Sequence, residues 1–261
     1  MSRIYPICSS SDGNSTFIGT RGHGIIVDAG CSFSGLKNAL SFIGTKLDES
    51  EIEAVFITHE HGDHIKGVEQ ILKRTKIPVF ASSGTIKALF PNGTDARVFN
   101  AEDGYRSADF EVRAFRTSHD CAMSVGYRIR FGEDSFGVCT DTGIVTAEAE
   151  KGLLGCKTVL LESNYDEEKL RKNLNYSPEL KRRISGEFGH LSNTACADFA
   201  LRLVKSGTRN IILGHLSREN NTPNTAKSCV ENLLSAHGFI NERDYTLNVA
   251  PADITGKYIA V

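Results

Sequence analysis

Residues 54–64 read Ala-Val-Phe-Ile-Thr-His-Glu-His-Gly-Asp-His. The apolar start of this run suits a strand over 54–58 that is buried on both faces. His59 and His61 stand two apart on an extended segment, so their side chains point the same way and can share one cation. After Asp63, residues Ile65, Val68, Ile71 and Leu72 follow a 3.6-residue period, so a helix is expected to begin at the motif. Asp63 and His64 therefore lie past a turn and aim at a neighbouring point, where a second cation can sit. Imidazole with carboxylate suits Zn²⁺ and also Mn²⁺ or Fe²⁺. The competing reading is a polar helix start with coincidental histidines.

Working outward, strands are expected over 24–28, 78–81, 110–115, 125–131, 135–139, 158–161 and 210–213, and helices over 33–42, 195–204 and 227–237. Strands alternating with helices imply an α/β protein whose sheet faces are covered. His119, Asp141 and His215 each follow an expected strand, and strand ends are where loops place chemistry. Taken singly, each is more often a surface or satisfied core residue than a ligand. Behind a His-x-His-x-Asp-His run, the three together suggest a larger ligand set.

The chain has 261 residues and a formal net charge of −2, with 40% hydrophobic and 24% charged residues, a composition ordinary for a globular protein. No global positive field points to nucleic acid, so such a role needs a local basic face. No repeat or linker-like break appears, and one domain over 1–261 is expected. The start of the chain lacks the apolar run of a signal peptide, and no stretch nears the ~18 apolar residues of a membrane span. The seven cysteines include no CxxC pair and read as reduced thiols of a cytoplasmic protein. Neither a membrane nor an obligate protein partner is indicated. Residues 166–185 are charged and weakly periodic. They carry Lys169, Arg171, Lys172, Lys181, Arg182 and Arg183 with Tyr165 and Tyr176 nearby, which suits a nucleic-acid grip. They also carry Asp166, Glu167, Glu168 and Glu179, which suits a solvated helical hairpin.

From Asp28 to His215 this pattern resembles the metallo-β-lactamase-fold superfamily. The resemblance implies an α/β four-layer αβ/βα sandwich with its site at one edge. It also implies that His59, His61 and His119 hold a first metal, that Asp63, His64 and His215 hold a second, and that Asp141 bridges them. Asp28, in Val-Asp-Ala-Gly, then orients ligands without binding metal.

A narrower resemblance rests on Ser-Ser-Ser-Asp-Gly-Asn-Ser (9–15), Ser-His-Asp (118–120), Glu-Ser-Asn-Tyr-Asp (162–166), Gly-His-Leu-Ser-Asn (189–193) and Gly-His-Leu-Ser-Arg-Glu-Asn-Asn-Thr-Pro (214–223). Together these are similar to the YycJ (WalJ) group, relatives of RNase Z and RNase J associated with 5′→3′ DNA exonuclease activity. The 73 residues between Asp141 and His215 leave no room for an inserted domain of ~100–150 residues.

The activity implied is a phosphodiesterase acting on nucleic acid, DNA first. Two divalent cations, Zn or Mn with Fe as a further candidate, would activate a hydroxide that Asp63 orients. His190 is a catalytic candidate beside Asp63, to steady or protonate the leaving oxygen, or else a structural residue near Ser192. Ser10, Ser11 and Asn14 are candidate substrate contacts in a loop that also reads as an ordinary hairpin turn. Asn164 and Tyr165 are further candidates, and Asn220 and Asn221 are expected to pin the His215 loop. The alternatives are a hydrolase of a small ester, thioester, lactone or cyclic phosphate, and a protein that keeps metal for structure.

Overall fold

In the computed structural model, which describes residues 2–254, the strands form two mixed sheets. The first contains β1 (Arg3–Ser10), β2 (Gly13–Thr20), β3 (His23–Val27), β4 (Ile52–Phe56), β5 (Val79–Ala81) and β6 (Val98–Asn100), in that order. Its first three strands are antiparallel, and β3 to β6 are parallel. The second contains β7 (Tyr105–Arg106), β8 (Phe110–Arg116), β9 (Val125–Phe131), β10 (Asp134–Cys139), β11 (Thr158–Glu162), β12 (Asn210–Gly214) and β13 (Thr246–Val249). It is antiparallel from β7 to β10 and parallel from β10 to β13.

The helices of the first half are α1 (Phe33–Phe42), α2 (Gly62–Ile65), α3 (Val68–Arg74) and α4 (Ser83–Leu89). Those of the second are α5 (Ala147–Leu153), α6 (Glu167–Lys172), α7 (Pro178–Ser185), α8 (Asn193–Lys205) and α9 (Pro223–Ala236).

The period-two alternation of each strand sorts its side chains into separate cores. On β4, Ala54 and Phe56 enter a cluster that also holds Tyr127, Val138 and Ile212 of the second sheet. Val55, on the opposite face, packs with Leu36 and Leu40 of α1 and Ile71 of α3. On the far side, Leu213 and Val159 pack with Phe199 of α8 and Val230 of α9. Three cores between four layers make this the expected αβ/βα sandwich. Among the described residues, no helix is long and apolar enough to cross a membrane.

Two local expectations are corrected. Residues 9–15 do form a hairpin turn, but it joins two long buried strands, with Ser10 paired to Gly13 across Ser11 and Asp12. The Ser/Thr/Gly content of β1 and β2 hides strands whose apolar residues, such as Ile4 and Ile18, are fully buried. The second correction concerns the helix after the motif, which breaks between α2 and α3. Ala29 N–H donates to His64 O at 2.8 Å and Gly67 N–H donates to Ala29 O at 2.7 Å, so the loop after β3 takes groups that a continuous helix would pair internally.

Tyr127 is fully buried, and its hydroxyl donates to Ile57 O at 2.6 Å, just ahead of the histidine motif. Tyr127→Phe leaves that carbonyl without this donor and should lower the unfolding free energy by about 1–3 kcal/mol. Urea denaturation followed by circular dichroism measures it, and a loss below a few tenths would show the bond to be inconsequential.

Candidate metal centre

Strand ends from both sheets converge on one edge of the sandwich. Asp28 follows β3, His59 to His64 follow β4, His119 follows β8, Asp141 follows β10, Glu162 ends β11 and His215 follows β12. Asp28, Asp141 and His215 have left-handed backbones, with φ of 60°, 54° and 54°. Asp and His tolerate this region better than most residues, yet it costs energy and concentrates at functional sites. In each case the kink ends extended pairing at the residue that carries the chemistry.

His59, His61 and His119 place one ligand atom each within 4.8 Å of one another. Asp63, His64 and His215 do the same, and so do His59, His64 and Asp141. Asp141 thus stands between the two triplets, in contact range of both.

The imidazoles are oriented from behind. Thr58 N–H donates to Asp28 Oδ1 at 2.8 Å, and the Thr58 hydroxyl lies 2.9 Å from Oδ2 and 3.1 Å from His59 Nδ1. His64 Nδ1 lies 2.8 Å from Asp28 Oδ2. One buried carboxylate therefore sets both rings and leaves each Nε2 facing inward. His119 Nδ1 pairs with Gly189 O at 2.9 Å, which turns its Nε2 to within 3.3 Å of His61 Nδ1.

Glu162 plays the Asp28 part in the second half. It is fully buried, and its Oε1 lies 2.9 Å from His215 Nδ1 and 2.8 Å from His190 Nδ1. Its Oε2 accepts from Thr142 N–H at 2.7 Å and from Leu191 N–H at 3.3 Å. Sequence reasoning missed this residue. The available signal was its position, an acid that ends an apolar strand just as Asp28 does.

The charges balance only in part. Burial and neighbouring histidines hold His59 well below the ordinary imidazole range, and burial also lowers His119. Burial opposes a proton on His64 and His215 too, but the surrounding carboxylates win. Asp28 and Asp141 raise His64 well above its ordinary value, and Asp141, Asp63 and Glu162 push His215 up to about 10. Burial alone would raise Asp141 and Asp63. His215 and His64 outweigh it and hold both carboxyls below their usual range. Asp28 stays raised by its burial despite His64.

Among the buried side-chain atoms of the described residues that lack a hydrogen-bond partner, three belong to the candidate ligands: His59 Nε2, His215 Nε2 and Asp141 Oδ2, the last in an ion-pair contact of 3.2 Å with His64 Nε2. Orphans of this kind are expensive, and all three belong to candidate ligands facing the same space. Imidazoles whose proton affinity is raised by the carboxylates around them also stand where a divalent cation can displace protons. The donor set therefore fits divalent metal.

The cluster opens into a cavity of about 200 Å³ lined by His61, Asp63, His119, Asp141, His190 and His215, with Ser11 and Asp120 at its margin and Leu180, Arg183 and Ile184 of α7 as a wall. Of the substrate candidates, only Ser11 lines this cavity. Ser10 is buried and its hydroxyl donates to Ala252 O at 3.0 Å. Asn14 sits inside the cluster, with Nδ2 at 3.1 Å from both Asp63 Oδ2 and His64 Nε2. Asn164 Nδ2 donates to His215 O at 2.8 Å and pins that loop. Tyr165 is buried in a bridge with Ser192. Asn221 Nδ2 donates to Ser163 O at 2.8 Å and Asn164 O at 3.1 Å, tying the β11 loop rather than His215 directly.

Residues 23–216 match the model of the Beta-lactamase superfamily domain. The chain is 33% identical over 238 residues to "Exodeoxyribonuclease YycJ" of Bacillus anthracis, covering 89% of each. It is 32% identical over 236 residues to "Exodeoxyribonuclease WalJ" of Streptococcus pneumoniae, covering 88% of this chain and 87% of that one. In fold it is similar to the metallo-beta-lactamase fold protein YhfI from Bacillus subtilis, with a TM-score of 0.69, 13% identity and 97% of each chain covered.

Glu162→Gln supplies one acceptor where two imidazole N–H and two backbone N–H groups converge. It should weaken metal binding about 10–100-fold, the usual effect of losing a partner that orients ligands. Metal content after dialysis against graded chelator measures this, and wild-type retention would show that Glu162 does not hold the histidines for metal.

Proposed function

The chain belongs to the Beta-lactamase superfamily domain family of metallo-β-lactamase-fold hydrolases, and from that premise we propose that it is a metal-dependent nuclease, a 5′→3′ exonuclease acting on DNA. The observation that carries this reading is Asp141 set between two ligand triplets at the floor of an open cavity. Structural metal sites are usually closed by four ligands, whereas this one keeps a face open to a substrate. The substrate comes from the relatives named exodeoxyribonuclease, which match along most of the chain. The direction rests on the sequence resemblance to their group.

In this reading His59, His61 and His119 hold one divalent cation, Asp63, His64 and His215 hold another, and Asp141 serves both. Such cations lower the pKa of water toward ~7 and offset the charge of an attacked phosphodiester. Zn²⁺ and Mn²⁺ suit the donors, with Fe²⁺ a further choice. Asp63, partly exposed where it lines the cavity, orients the attacking oxygen. His190 has committed Nδ1 to Glu162 and keeps its other ring nitrogen for the cavity, where it steadies the phosphate or hands a proton to the leaving oxygen. Asp28, Glu162 and Asn14 position these groups. The whole chain acts as one domain, and its seven free cysteines suit the reducing cytoplasm.

End-labelled single- and double-stranded DNA and RNA, incubated with Mn²⁺ or Zn²⁺, test the proposal. Stepwise 5′→3′ DNA products that vanish with EDTA are expected. Asp63→Ala should abolish them while leaving the circular dichroism spectrum intact. Silence on every nucleic acid, with turnover of a lactone, thioester or cyclic phosphate, would overturn the reading.

A further inference from the structure

We propose that Arg183, aligned by Asp120, grips a second phosphate of the substrate beside the one that is cut, an assignment that rests on the nuclease reading above. Helix α7 turns one face to the cavity, because Leu180, Arg183 and Ile184 fall at i, i+3 and i+4. Arg183 is the one lysine or arginine among the cavity's lining residues. Its Nε donates to Asp120 Oδ2 at 2.6 Å. A guanidinium has five N–H donors in a planar fork, so this contact uses one of them and leaves both Nη groups for an anion. Among the described residues, no other partner is found for them.

The placement of this fork is set by the site itself. Asp120 Oδ1 lies 3.5 Å from His119 Nε2, so two contacts link the guanidinium to a candidate metal ligand. On the other side, His190 N–H donates to Ile184 O at 2.8 Å. A Cβ on Gly189 would meet Arg183 O and Ile184 O at 2.2 Å, so only glycine lets that segment close against the end of α7. Gly189 O also holds His119 Nδ1. The helix that carries Arg183 is thus fastened to both His119 and His190.

Three other cations of this segment are engaged elsewhere, and Lys169 lines a separate surface hollow with Asp166 and Glu168. Lys172 pairs with Glu168 at 2.5 Å, Arg182 pairs with Glu179 at 3.0 Å, and Lys181 Nζ donates to Arg171 O at 2.8 Å. A strand repeats its phosphates, so a site that holds one at the metals presents the next to its wall. Leu180 and Ile184 flank the cation with apolar surface suited to a sugar or base. A simple lactone brings no second anion for the fork.

Cleavage of a single-stranded DNA oligonucleotide with Mn²⁺ is compared with cleavage of bis(4-nitrophenyl) phosphate, which carries one phosphodiester only. Arg183→Gln should raise KM for the oligonucleotide about tenfold, in line with one lost charge-assisted bond, and by much more than for the small diester. Arg183→Lys should recover part of the loss. The dependence of log KM on log salt should flatten by about 0.7, the share of one phosphate contact on a single strand. The same slope, measured by fluorescence anisotropy with metal-stripped protein in EDTA, is independent of metal loading. Equal losses on both substrates, or an unchanged salt slope, would overturn the clamp. A wild-type protein that cleaves the small diester but no oligonucleotide would overturn the nuclease reading and the clamp with it.

Discussion

The site depends on keeping ionised carboxylates where water cannot reach them. Asp28 and Glu162 are buried at 3% and 0% exposure, and an unpaired charge there would be prohibitive. Each solves the problem by collecting donors. Asp28 takes the Thr58 N–H, the Thr58 hydroxyl and His64 Nδ1, while Glu162 takes two backbone N–H groups and the Nδ1 of both His190 and His215. One carboxylate closes a strand of the first sheet and the other closes a strand of the second. Each half of the sandwich therefore brings its own anchor, and the candidate ligands fill the seam between them.

This arrangement explains why the backbone is strained and crowded at the seam. Left-handed residues follow β3, β10 and β12, so the cost is accepted where side chains must leave the sheet register. A Cβ on Gly30 would lie 1.6 Å from Asp63 O, so the loop after Asp28 touches the backbone of a candidate ligand directly. Those contacts also break the helix after the histidine motif. Rigidity here is useful because ligands held from behind cannot relax into the hydrogen bonds that His59 Nε2, His215 Nε2 and Asp141 Oδ2 lack.

Much of this was legible in the residues. Apolar runs followed by His or Asp marked β4, β10 and β12 and the groups beyond them, because strands buried on both faces show as unbroken hydrophobic stretches. The turn at 9–15 was legible but the strands β1 and β2 on either side of it were not, since Cys8, Ser9, Ser10, Gly13, Asn14, Ser15 and Thr16 are polar or small yet sit in the interior. Their burial is imposed by the neighbouring strand and by the site that Asn14 supports, neither of which is local in sequence. Glu162 was hidden for a related reason. In Thr-Val-Leu-Leu-Glu it reads as a polar strand end, and only the fold brings His190 and His215 to it. Asn164 and Tyr165 sit beside the site in sequence and in space, but their groups face the protein.

On the nuclease reading, the segment 166–185 is where a shared metal core would gain a particular substrate. Its composition is balanced between a solvated hairpin and a basic grip, and the structure divides it accordingly. Most of its cations are spent on neighbouring acids or carbonyls at the surface, as in a solvated helix pair. Arg183 also meets an acid, but that acid is Asp120 beside His119, and the period of the helix, more than the number of its charges, selects Arg183 for the cavity wall. Net charge and composition are blind to that selection, because it is made by Gly189 and His190 fastening the end of α7 to the site. On the proposed reading, substrate preference turns on which exposed residue of the helix borders the cavity, a property that packing against the candidate ligands fixes.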